Sequence, residues 1–243
     1  MTALLLRDFV LKSGICHTWE VCTVLEIRKD VSFAERGLLF GIVEVVYPEP
    51  SEWDEAAFGA LKERELAALF AELSDYDRKT VFGETPYYRY FKKYKKTYPV
   101  LQQLESVLLK GRPFPSGRPL NEVAFLTELR TRVLSGAHDA ERVQGAVELF
   151  CPEEKLPFTG MRGEEVHTYP GDPSARDGGG IIFSMIAGAD ARTCLRPESR
   201  HIFYPFFATP DTTREQLLPA MELLVSYVRV LAPGARIESY LVE

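Results

Sequence analysis

The sequence has no apolar run long enough to cross a membrane. Its longest runs are short, such as Leu38-Leu39-Phe40 and Ile181-Ile182-Phe183, against the ~20 residues a span requires, so no membrane partner is expected. The opening residues, Met1-Thr2-Ala3-Leu4-Leu5-Leu6-Arg7-Asp8, lack both the basic start and the apolar length of a secretory signal, which makes the cytoplasm the expected compartment. Cysteine is scarce, with Cys16, Cys22, Cys151 and Cys194 the four present. In a reducing compartment these read as thiols. Cys16-His17 and Cys22 fit no standard zinc spacing, so core thiols are the expectation and neither metal nor cofactor is implied. Positive charge is also in deficit, since 29 Lys and Arg against 35 Asp and Glu give a net charge of −6. That argues against nucleic-acid binding through bulk charge and requires a local basic patch for any such partner. Repeats and low-complexity tracts are missing. Asp177-Gly178-Gly179-Gly180 lacks the strand-Gly-x-Gly-x-x-Gly-helix order of a dinucleotide site and reads as a turn.

What is present is an ordinary globular composition, 46% hydrophobic and 26% charged. The reading adopted is a single domain over 1–243, with an N-terminal α/β portion (1–115) and a pocket-forming portion (116–243). Strands are expected at Leu4–Leu11, Trp19–Ile27 and Leu38–Tyr47, from apolar alternation and β-branched residues. Ser51 and Asp54 resemble a capping box ahead of helical spacing from Phe58 to Leu73. Pro99 opens a short helix that Gly111 stops. A Pro/Gly/Arg-rich loop, Gly111–Pro119, leads to a helix over Leu120–Leu134. Strands follow at Val143–Phe150, Leu156–Phe158, Gly180–Ala187 and His201–Ala208. Gly171–Gly180 reads as a loop, and Pro205 makes its strand an edge strand or a bent one. Thr212 with Glu215 caps a final helix to Leu231, and Ile237–Val242 closes the chain as a strand. The order, strands then helices then strands, helix and strand, specifies an α+β fold with mixed β-sheets and packed helices.

One helix stands out. Thr85-Pro86 supplies a cap and a first-turn proline. At ~100° per residue, Tyr87, Tyr90, Phe91, Tyr94 and Tyr98 share one face, and Arg89, Lys92, Lys93 and Lys96 the other. The basic face fits nucleic-acid phosphates, with Arg112 and Arg118 in the nearby loop, or it is a solvated face over tyrosines packed in the core.

Several segments resemble the B3/B4 domain family. They are Pro119-Leu120-Asn121-Glu122-Val123, Gly136 through Gly145, Gly160-Met161-Arg162-Gly163-Glu164-Glu165, Gly179–Ala187 and Glu198 through Phe203, with Tyr88-Arg89-Tyr90-Phe91 and Glu105–Gly111 upstream. The domain occurs in the β subunit of phenylalanyl-tRNA synthetase and in free-standing relatives. The resemblance implies a B3/B4-like fold, the 3′ aminoacyl end of tRNA as partner, and trans-editing hydrolysis of a misacylated ester. Such a site must bind the end, place a water and stabilise an oxyanion. The catalytic candidates are Glu122, which keeps the charge of the family's aspartate, and His138 with Asp139, which read either as a general base oriented by a carboxylate or as a turn histidine in surface hydrogen bonding. Phe125, Gly136, Ser184 and Tyr204 would line the substrate pocket, and Arg89, Lys92, Lys93, Lys96 and Arg112 would hold tRNA. The family's histidine falls at Gly136, its asparagine at Phe125, and its tyrosine-reading glutamate near Tyr204, so tyrosine specificity does not carry over. A non-catalytic protein binding RNA, an amino acid or a nucleoside in a remodelled pocket is the alternative.

Overall fold

The structure, a computed structural model, describes residues 24–242. The expected strand Leu4–Leu11, most of Trp19–Ile27, Cys16, His17 and Cys22 lie outside that range. Strand β1 (Ile27–Lys29) and a short helix α1 (Val31–Ala34) lead to β2 (Phe40–Val46). Four helices follow: α2 (Glu55–Glu72), α3 (Arg78–Phe82), α4 (Pro86–Lys93) and α5 (Pro99–Leu108). After a loop comes α6 (Pro119–Thr131), then the strands β3 (His138–Asp139), β4 (Val147–Phe150), β5 (Pro157–Thr159), β6 (Glu165–His167), β7 (Ser174–Asp177), β8 (Gly180–Ser184), β9 (Gly188–Ala189) and β10 (His201–Phe207). Helix α7 (Arg214–Leu231) and strand β11 (Arg236–Val242) complete the described chain. The α+β class is therefore as the sequence order specifies.

The strands form a four-stranded sheet, β11-β2-β10-β3, a five-stranded sheet, β1-β4-β7-β8-β9, and a β5-β6 hairpin. Alternation along β2 explains the layering. A Cβ at Gly41 would sit 2.6 Å from the Met221 sulfur on α7, so Gly41 and its alternate neighbours face the helices. Phe40 faces the other way and stacks on Phe183 of β8 at 5.7 Å. The two sheets thus meet through Phe40, Phe183, Phe203 and Phe207, all buried, while α7 packs on β2, α2 and α6.

Three local details differ from the sequence expectations. Pro205 lies within an inner strand, not an edge one. Its carbonyl accepts from Gly136 N–H at 3.0 Å, so the missing proline N–H faces the side where β3 has ended and the β2 ladder loses nothing. Gly171–Gly180 contains β7, whose Ser174 and Ala175 are buried. The caps shift by a residue or more. Thr213 and Gln216 form the capping box of α7, and Asp54 itself caps α2 by accepting from Ala57 N–H.

Candidate functional site

Helix α4 is held by its tyrosines. Tyr87 donates to the Phe207 carbonyl, Tyr98, beyond the helix, to the Arg132 carbonyl, and Tyr94 to the Pro170 carbonyl at 3.2 Å. Tyr90 donates to Asp172 at 3.2 Å. The packed-tyrosine expectation holds, with a hydroxyl anchor added at each of these positions. The helix ends sooner than its periodicity suggests. Lys95 adopts a left-handed φ of 57°, and the last turn is closed by Tyr94, Lys95 and Lys96 N–H bonds back to Phe91 and Lys92. Arg89, Lys92 and Lys93 therefore remain on the exposed helical face, whereas Lys96 turns away toward Tyr169.

Two cavities open beside this helix end. One, of about 600 Å³, is walled by Arg36, Tyr90, Lys93, Tyr94, Glu153 and Pro170 among others. The second, of about 450 Å³, is lined by Lys96, Lys155, Val166, His167, Tyr169, Ile186 and Ala187. The rings of Tyr94 and Tyr169 meet edge to face at 5.6 Å, so a tyrosine pair stands between the openings. Asp172, fully buried, lies beneath them. It accepts from Tyr90 on one side, and from Ser184 Oγ at 2.5 Å and Ile186 N–H at 3.0 Å on the other. Burial raises its carboxyl to about 7, against the pull of those donors.

The charges around the openings are unbalanced. Among the described residues Arg36, Lys92, Lys93, Lys96 and Lys155 form no ion pair with a carboxylate. Lys93 sits over the Tyr94 ring, and Lys96 and Lys155 over the Tyr169 ring. Arg89 is partly neutralised by Glu84 and Asp211 at 3.4 and 3.6 Å. Arg112 is exposed beyond α5 and lines neither cavity. A local basic patch on an acidic chain is the feature that a nucleic-acid partner would require.

The other expected site residues lie elsewhere, buried except for the half-buried Phe125 and Gly136. His138 and Asp139 are neighbours in β3 and point to opposite faces. His138 lies between the sheets, stacked on Phe203 at 4.9 Å. Its Nδ1 meets the Thr193 hydroxyl at 2.8 Å, and that hydroxyl donates in turn to Asp190. Nδ1 therefore carries the proton and Nε2 is bare. Burial pulls the imidazole down to about 3, so it is neutral at ordinary pH. The carboxylate that orients His138 is thus Asp190, acting through Thr193. The strand period could have shown that Asp139 was not placed to do so. Asp139 accepts from Ser199 Oγ at 2.5 Å and caps the turn at Glu141.

Glu122 pairs with Lys62 of α2 and accepts from Arg118 N–H at 2.8 Å, closing the start of α6. Phe125 packs edge to face on Phe114 at 5.0 Å. Tyr204 faces the helices, donating to the Leu120 carbonyl and accepting from Tyr47 at 2.7 Å. Ser184 bonds Asp172. A Cβ at Gly136 would stand 3.2 Å from Pro205 Cγ and 3.6 Å from His138 Nε2. The candidate set is therefore dispersed over three environments. Gly136 and His138 adjoin each other, Ser184 supports the tyrosine openings through Asp172, and Glu122, Phe125 and Tyr204 belong to the α6 packing.

No protein-family profile matches the chain, and no curated relative matches it. Among solved structures it is similar to a crystal structure of an N-terminal fragment of the phenylalanyl-tRNA synthetase β subunit from Pyrococcus horikoshii, with a TM-score of 0.46 and 9% identity. The match covers 91% of this chain and 55% of that one, so the chain spans little more than half the length of that structure. The likeness is distant, and the fold class rests on the elements themselves. Among the described residues no helix is long and apolar enough to cross a membrane.

Proposed function

We propose that this protein is an RNA-end-binding module that grips its ligand at the larger tyrosine-walled opening, between α4 and the Pro170–Pro173 segment. The observation that carries the reading is that two cations without a carboxylate partner among the described residues, Arg36 and Lys93, line the opening together with Tyr90 and Tyr94, with Lys92 exposed next to Lys93 on α4, on a chain of net charge −6. Phosphates are attracted by the cations, and an unstacked base finds an aromatic face. The resemblance of the sequence to B3/B4 domains supports the 3′ end of tRNA as the RNA in question. Arg89 adds to the same face, while Arg112 is a separate contact for the body of a longer RNA.

Trans-editing hydrolysis is the finer reading, and one arrangement favours it. The bare Nε2 of His138, backed by Thr193 and Asp190, faces the close approach of Gly136. Two facts weigh against it. His138 is 1% exposed, and a base that titrates near 3 accepts a proton poorly at neutral pH. Binding without hydrolysis is therefore the reading preferred.

The test is tRNA affinity across a salt series for the natural protein and for Lys92→Glu with Lys93→Glu. Binding that weakens with salt, and weakens further in the variant, is expected. Salt-independent or unaltered affinity returns the face to solvent. A panel of misacylated tRNAs decides the finer point. Ester loss that is abolished in His138→Gln would establish hydrolysis.

A further inference from the structure

We propose that the smaller opening, around Tyr169, is a second and separate binding site that takes a nucleoside phosphate. Its wall combines three elements that this ligand class needs. Lys96 Nζ lies 5.6 Å and Lys155 Nζ 6.0 Å from the centroid of the same Tyr169 ring. The two lysines come from different parts of the chain, one just past α4 and one in the loop before β5. Both lysines therefore put a cation into the wall of one cavity, and among the described residues neither has a carboxylate in ion-pair reach. Among the described residues no acidic side chain lines the cavity, although His167 does. The remaining wall is apolar, formed by Val166, Ile186 and Ala187.

A phosphate satisfies both ammonium groups at once, which no single ring face can do. Charge-assisted hydrogen bonds to phosphate are stronger than exposed cation–π contacts. Drawing the lysines onto a phosphate also frees the Tyr169 face for a planar base, while the apolar wall excludes water from its edge. The volume of about 450 Å³ suits a ligand of that size. The floor is rigid. Ile186 N–H is held by Asp172, and Ala187 N–H donates to Ser184 Oγ at 3.1 Å. A preformed floor lowers the ordering cost of binding.

This site does not depend on the RNA-end reading of the larger opening, because Lys93 serves that opening and Lys155 this one. The nucleotide that fills it has two possible sources, a free mononucleotide or one residue of an RNA strand. Calorimetric titration of the full chain with AMP, adenosine and a 5′-phosphorylated oligoadenylate of five residues separates them. AMP is expected to bind at least about tenfold more tightly than adenosine, since the phosphate supplies charged contacts. Lys155→Ala, at an exposed position, should weaken AMP about tenfold, and Lys93→Ala should leave it unchanged. If only the oligoadenylate shows the Lys155 dependence, the site reads a nucleotide within a strand. If only AMP shows it, the ligand is free nucleotide. Equal affinity for AMP and adenosine, or indifference of both phosphate ligands to Lys155→Ala, overturns the proposal.

Discussion

The space between the two sheets and the rim beside α4 both hold side chains of the kinds that do chemistry, and the fold uses them in opposite ways. Between the sheets, His138 is stacked on Phe203, its Nδ1–H given to Thr193 and its charge suppressed by burial. Glu44 and His201 are likewise buried and paired, at 2.5 Å. Polar groups here answer to one another, as groups removed from water must. At the rim, Lys92, Lys93, Lys96 and Lys155 answer to no carboxylate among the described residues, and the last three stand over tyrosine rings. The difference teaches that residue type does not identify a site. What distinguishes a binding surface is an interaction left incomplete and open to solvent.

The strongest way to break this comparison is to disturb the inter-sheet region and look for an effect at the rim. Phe183 is fully buried and packs on Phe40, Phe207 and His138. Phe183→Ala should cost about 3–5 kcal/mol of stability, read by denaturant unfolding. RNA affinity per folded molecule should stay unchanged. A large affinity loss in the still-folded variant would show that the two regions are coupled.

The second test uses pH. Asp172 and Glu128 are raised by burial to about 7 in the folded chain, from ordinary values of 3.8 and 4.5. A carboxyl raised on folding holds its proton more tightly in the native state, so its stabilising contribution is full below the unfolded value and is lost as pH rises toward 7. His138 acts the other way. Lowered from 6.5 to about 3, it favours the fold above 6.5 and opposes it as pH falls through that window. Asp172→Asn, which mimics the protonated carboxyl, isolates the first contribution. Between pH 5 and 7 the natural protein should lose about 2 kcal/mol relative to this variant. Parallel stability curves would remove Asp172 as the titrating support under the openings.

Glu122 sharpens the contrast at a smaller scale. Glu122→Ala leaves Arg118 N–H and the partly exposed Lys62 without their partner, at a cost of about 2 kcal/mol. Glu122→Gln keeps an acceptor for Arg118 and should cost about half of that. Neither change should alter RNA affinity. A loss of ester hydrolysis in Glu122→Gln, with stability kept, would restore Glu122 to the chemistry that the sequence resemblance implies.

How much was legible in the sequence follows the same division. Periodicity showed the tyrosine face of α4 and the apolar faces of α2 and α7, because a helix repeats its environment every 3.6 residues. Alternation showed β2 and β10. It did not show β7, four residues whose Ser174 is buried by bonding the Asp172 carbonyl, since a buried serine reads as a turn. Nor did it show that Lys96 leaves the basic face, which depends on the left-handed Lys95. Lys155 joins Lys96 at Tyr169 only through tertiary structure, across 59 positions of sequence, and local pattern carries no trace of that meeting. The Thr193–Asp190 support of His138 is hidden for the same reason, because it spans the sheet from β3 to the segment after β9.

The finest probe of the comparison lies at the rim, where stability and binding should separate completely. Lys92 and Lys93 are exposed, and their replacement by alanine should move stability by no more than about 0.5 kcal/mol. If each meets one phosphate of a single-stranded end, the slope of log affinity against log salt should become shallower by about 0.7 per lysine removed. Affinity at low salt should then fall most, and the curves for variant and natural protein should converge as salt rises and screening shortens the reach of every charge. Curves that stay parallel would mean that the lysines shape the opening without touching phosphate. In that case the cations at the rim, like the polar groups between the sheets, would be structural.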